Sequence, residues 1–107
     1  MLAGTHIVVL VTVSSIEEGE RIAKRILEEK LAACVNIIGS VESFFWWEGK
    51  VDEAREGLLV IKTRLDKLEK LVETIKELHS YEVPEIIAIP VIGGLRDYLK
   101  WIDESVS

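Results

Sequence analysis

The chain is predicted to be an α+β, ferredoxin-like domain: β-α-β-β-α-β with a C-terminal helix and an antiparallel sheet. First, the β-branched runs Ile7–Val13, Gly57–Thr63 and Ile86–Ile89 read as buried strands. Second, two segments with helical spacing of apolar residues separate the strands in the order of two βαβ units. Third, Glu48-Gly49 folds one long strand back onto the next. With right-handed crossovers this order gives a sheet 4-1-3-2 with both main helices on one face. At 107 residues the chain is read as a single domain, 1–107, with one core.

Ile7-Val8-Val9-Leu10-Val11-Thr12-Val13 is nearly continuous in apolar residues, as expected of a strand covered on both faces. Ser14 and Ser15 each stand three residues before a glutamate, Glu17 and Glu18, and either pair makes a capping box. Ile16, Ile22, Ala23, Ile26, Leu27 and Leu31 supply the apolar stripe of the first helix. Glu17–Arg21 and Glu20–Lys24 pair on its wet side. A second strand opens at Ala32, is interrupted at Gly39-Ser40, and resumes at Val41. The return strand starts at Val51. Its polar stretch Glu53–Glu56 is expected to be an exposed part of a hairpin arm.

Asp66 and Glu69 form a further capping box before the stripe Leu68, Leu71, Val72, Ile75 and Leu78. His79–Pro84 is a loop in which the proline holds Val83 extended. Ile86–Ile89 is the fourth strand. Gly93-Gly94 breaks the chain before a terminal helix marked by Leu95, Tyr98, Leu99, Ile102 and Val106.

Phe44-Phe45-Trp46-Trp47 holds both phenylalanines and two of the three tryptophans. Alternation sends Phe44 and Trp46 to one face, Phe45 and Trp47 to the other. One aromatic face is expected to serve the chain's own core and the other a neighbour. The strands too are apolar on both faces, while the main helices cover one. A neighbouring copy is the natural cover, so a homo-oligomer is expected.

A composition 49% hydrophobic excludes disorder. A formal charge of −6 with no basic stripe argues against a nucleic acid partner or an anionic membrane surface. No apolar run approaches the roughly 20 residues of a spanning helix, so no membrane partner is expected. The start of the chain lacks a basic segment ahead of an apolar one, and the expected localisation is cytoplasmic. One Asn, no Gln, one Met and 30% charged residues suit a thermostable protein from a hot-living source. Cys34 is the only cysteine and is read as a small buried hydrophobe.

The topology places Val11–Ser15, the aromatic hairpin and the His79–Glu85 loop at one end of the domain. Cys34 and Lys62 fall at the other. His79 closes a helix, where its charged form complements the dipole. Lys62, inside an apolar run, is either a snorkelling strand-end lysine or an anion contact. No Ser–His–Asp arrangement, phosphate-binding glycine loop or paired metal motif is present, and the chain is read as a non-enzyme.

Glu29–Asn36, Trp46-Trp47-Glu48-Gly49-Lys50-Val51, Lys62-Thr63, His79–Ile86 and Asp97-Tyr98-Leu99-Lys100-Trp101 together resemble the CutA family of divalent-cation-tolerance proteins. The match runs nearly the whole length in the family's order. The resemblance implies a ferredoxin-like homotrimer, similar in assembly to the PII signalling proteins. It also implies binding of copper or other divalent cations in metal tolerance or homeostasis. On it, His79 is a candidate metal ligand, and Glu82 and Glu85 beside it are candidates to complete an oxygen-rich site. Trp46, Trp47, Glu48, Lys50, Lys62, Tyr81, Tyr98 and Trp101 are assigned to an intersubunit pocket or to assembly. Some relatives carry a cysteine near the end of the first strand and a second histidine beside the loop histidine. Here Val11 and Leu78 stand there, removing a soft thiolate and an imidazole. The alternatives are a PII-like small-molecule sensor, with Lys50 or Lys62 as anion contacts, and an interaction scaffold without metal function.

Overall fold

The structure, a computed structural model, describes residues 5–107. Within them the order is β1 (His6–Val13), α1 (Ile16–Glu28), β2 (Cys34–Trp47), β3 (Lys50–Arg64), α2 (Leu68–Leu78), β4 (Ile86–Pro90) and α3 (Arg96–Ser105). These strands form one antiparallel sheet in the order β2-β3-β1-β4, as predicted. Its long axis is set by the β2–β3 hairpin, and the molecule measures 44 × 26 × 23 Å.

Alternation along β1 divides the interior. Ile7, Val9, Val11 and Val13 are buried against Ile22 and Ile26 of α1 and Leu71 and Ile75 of α2, together with Leu59 and Ile61. Each buried aliphatic side chain contributes about 1.5–3 kcal/mol. The even-numbered face carries Val8 and Leu10. Cross-strand register sets Val8 beside Lys62 and Ile89, and Leu10 beside Val60 and Ile87. Here the terminal helix finds its place: α3 packs on β3, burying Leu99, Ile102 and Val106. Two residues of its predicted stripe stay outside. Leu95 stands before the helix, largely exposed, and Tyr98 is only partly covered. Away from α3 this second face is open, with Ile38, Ile87 and Ile89 about half exposed.

The Gly39-Ser40 interruption is a bulge, with the β2–β3 register shifting between Ile38 and Val41. Ser40, not the glycine, takes the positive φ of 57°. β2 itself begins at Cys34; before it the chain is still closing α1, with the Leu31 N–H donating to the Ile26 carbonyl at 2.9 Å. The Asp66 capping box does not form. Asp66 takes two charge-assisted bonds from Arg64, at 3.0 and 2.7 Å, and a 3-10 turn over Leu65–Lys67 leads into α2 without a side-chain cap.

Glu48 and Gly49 form the two-residue hairpin turn, with φ of 48° and 78°. Glycine adopts this region freely, whereas a β-carbon makes it costly for glutamate by about 1–2 kcal/mol. Asparagine tolerates it. Glu48→Asn is therefore expected to slow amide exchange at Trp46, Trp47 and Lys50 about fivefold, for about 1 kcal/mol gained. Hydrogen exchange followed by NMR measures this; unchanged rates would show that Glu48 carries no strain.

Candidate functional site

The expected gathering of loops is present in part: the β1–α1 turn and the loop after α2 meet, three side chains make the ties, and the aromatic tip stands apart. Glu18 lies in the first turn of α1 and is 2% exposed. Ser15 caps that helix by accepting from the Glu18 N–H at 3.1 Å. The return half of the box is displaced by one residue. Oε1 of Glu18 accepts from the N–H and hydroxyl of Ser14 at 2.9 and 3.0 Å, and Oε2 accepts from the Ser80 N–H at 2.7 Å. The carboxylate thus joins the β1–α1 turn to the loop after α2. His79, the C-cap of α2, adds a second tie, with Nε2 2.7 Å from the carbonyl of Thr12. Tyr81 adds the third through its hydroxyl, 2.7 Å from Glu56 Oε2.

Glu56 corrects the reading of Glu53–Glu56 as wholly exposed: it is buried because Tyr81 covers it and satisfies it. His6, at the start of β1, is another buried polar residue. Its Nε2 lies 2.8 Å from Asp103 and so ties β1 to α3 across 97 residues of chain.

Burial pushes the Glu18 carboxyl up, but hydrogen bonds from Ser14 and Ser80 outweigh it and hold the pKa at about 2, below its ordinary 4.5. Tyr81 moves the other way. Burial, with the bond to Glu56 and its negative charge, pushes the phenol up to about 12.

The aromatic arm departs from expectation. Phe44 and Trp46 share a face with Glu53 and Val51, Phe45 and Trp47 with Asp52 and Lys50. Neither face packs on the protomer's own core. Trp46 is 75% exposed and Trp47 54%, because the arm extends past the helices. The loop is bonded to the arm at its base, through Tyr81 and Glu56. Of the assembly candidates, Trp46, Trp47, Glu48 and Lys50 share the exposed tip. Lys62 lies twelve residues along β3 from Lys50, about 40 Å at strand rise. The two lysines therefore cannot serve one anion site in one subunit.

Lys62 faces Cys34 across the strands and bonds Asn36 Oδ1, while Cys34 is half-buried. Tyr98 reaches this group from α3, its hydroxyl pKa raised by burial and by Cys34. The Tyr98 and Trp101 rings pack 5.4 Å apart on α3, both partly exposed. The candidates thus fall into three groups: the arm tip, the loop with Tyr81, and the α3 end of the open face.

A family model described as CutA1 divalent ion tolerance protein matches residues 7–105. The chain belongs to the CutA1 family. It is 52% identical over 101 residues to the divalent-cation tolerance protein CutA of Archaeoglobus fulgidus, covering 94% of this chain and 98% of that one. It is 54% identical to the chloroplastic protein CutA 1 of Oryza sativa, where 92% of this chain matches 56% of the longer relative. The solved A. fulgidus structure, described as a periplasmic divalent cation tolerance protein, superposes with a TM-score of 0.93 at 51% identity, over 95% of this chain and 99% of that one. CutA1 from O. sativa superposes at 0.94 and 50%, covering 98% and 96%.

The CutA1 description speaks of divalent ions, so the donor set matters. The three candidate ligands do not make a site within one subunit. His79 is buried with its ring turned to the backbone, whereas Glu82 and Glu85 are exposed. No three His, Cys, Asp or Glu side chains are grouped to hold a metal among the described residues. Within one subunit, these residues do not fit a copper site, which favours imidazole and thiolate. Physically, the hydrogen bonds that shape the loop use the imidazole that a metal would need.

Glu18 gives the clearest test of the network. Glu18→Gln substitutes an amide for one acceptor oxygen and leaves a buried N–H unsatisfied, costing about 1–3 kcal/mol. Urea midpoints at fixed protein concentration measure it. Because the folded pKa lies below the unfolded one, the carboxylate's contribution is complete above pH 4.5 and is lost as pH falls through about 2. The stability difference between wild type and Glu18→Gln should shrink over that interval. A gap independent of pH would assign it to packing.

Proposed function

We propose that this chain acts as a homotrimer in divalent-cation tolerance, taking the cation where subunits meet and performing no catalysis. The observation that carries the reading is the unburied aromatic arm beside an open apolar sheet face. Exposed apolar surface of this kind marks an interaction site, and a closed ring of identical copies covers it without new chemistry. The number three follows the resemblance to the CutA family. Cation tolerance is supported by the family description and by the names of the A. fulgidus and other relatives.

Since the donors do not converge in one subunit, assembly must bring them together. The arm tip carries Glu48 and the loop carries Glu82 and Glu85, all exposed. Such carboxylates can ligate Zn²⁺ and lack the imidazole and thiolate that copper favours. Copper is accordingly the finer part of the reading and is tested against Zn²⁺.

Sedimentation equilibrium is expected to give a trimer mass. Calorimetric titration of the metal-free protein with Cu²⁺ and Zn²⁺ is expected to show saturable heat, absent from a dissociated variant. Trp47→Ala, which removes one of the arm's large apolar side chains, should supply that variant by weakening association at least tenfold. An intact trimer of equal stability in Trp47→Ala would overturn the role of the arm. A trimer that takes up neither ion would overturn the cation reading.

A further inference from the structure

The geometry points to His79 as a positioning residue held in one neutral tautomer, which stays off the metal when the chain meets divalent cations. The residue is 8% exposed, and both ring nitrogens are engaged. Nε2 lies 2.7 Å from the Thr12 carbonyl, which can only accept, so Nε2 carries the proton. Nδ1 lies 3.0 Å from the backbone N of Tyr81, whose N–H can only donate, so Nδ1 presents its lone pair there. One hydrogen bond therefore dictates the state of each nitrogen, and the two requirements agree on a single tautomer.

A metal needs an imidazole lone pair. At Nδ1 it would displace the Tyr81 N–H. At Nε2 it would need the proton removed and the Thr12 carbonyl abandoned. Either event releases a backbone group from its partner, and the Tyr81 ring, 4.8 Å away and tilted by 45°, packs against the imidazole. The ring's work is conformational. It bonds the end of β1 and the N–H of Tyr81, and between these contacts Ser80 meets Glu18 and Tyr81 meets Glu56. The loop candidate is thus the residue that shapes the loop.

The tautomer can be read with no metal present, so the inference does not depend on the cation-tolerance reading. In the assembled full-length protein with ¹⁵N-labelled histidine, long-range ¹H–¹⁵N spectra should show His79 with its proton on Nε2 and a bare Nδ1. Saturating Zn²⁺ should leave both resonances unmoved. His79→Gln keeps an N–H able to reach Thr12 and removes the imidazole, and it should bind Zn²⁺ within twofold of wild type. His79→Ala should speed amide exchange at Ser80 and Tyr81 at least tenfold, with His79→Gln lying closer to wild type. A proton on Nδ1, a Zn²⁺-dependent shift of either ring nitrogen, or a tenfold loss of Zn²⁺ affinity in His79→Gln with Ser80 and Tyr81 protection intact would overturn the inference. A flat Zn²⁺ titration would count against the proposed function, while the proton's position would still decide this inference.

Discussion

A sheet whose central strand is apolar on both faces cannot be satisfied by two helices on one side, and much of this structure follows from that constraint. The odd-numbered side chains of β1 meet α1 and α2 and form the core. The even-numbered ones meet α3 at one end and are left open elsewhere. The Leu99, Ile102 and Val106 stripe of α3 covers part of the second face, and the His6–Asp103 bond fixes it there. The exposed isoleucines and the aromatic arm are the remainder. Apolar area of this size is costly in water, which is why the protomer reads as part of an assembly.

Polar groups do a different job at the other end of the sheet. Glu18, His79 and Tyr81 each connect elements far apart in sequence, and each is satisfied by a geometry that admits few alternatives. A buried carboxylate is tolerated because three donors replace its water. Those bonds also explain why the loop lacks metal-site character within a subunit. Its imidazole is consumed by structure, while Glu82 and Glu85 stay in solvent. Among the described residues, one subunit groups no donor set for a divalent ion.

The element order, strand order and core faces could be read from residue pattern, because periods of 2 and 3.6 are local properties that burial imposes on each element. The bulge near Gly39 and the Glu48-Gly49 turn were visible for the same reason. The resemblance resting on Trp46–Val51 and His79–Ile86 led to the right family. Pattern failed where partners lie far apart. Nothing around His6 announces Asp103, and nothing in Glu53–Glu56 singles out Glu56 for burial. The Asp66 box was a sound local signal that lost to the stronger bidentate contact from Arg64.

Sequence alone thus determined the architecture, the excess of apolar surface and the meeting of the β1–α1 turn with the loop after α2, all of which follow from periodicity and chain direction. It also showed that Ser14 or Ser15 would start α1 near a glutamate. The use made of that glutamate waited on the fold, as did the tautomer of His79 and the projection of both aromatic faces into solvent. Hydrogen bonds are directional and short, so a group's role depends on which distant atom arrives within 3 Å of it. That is a property of packing in three dimensions, which local pattern does not encode.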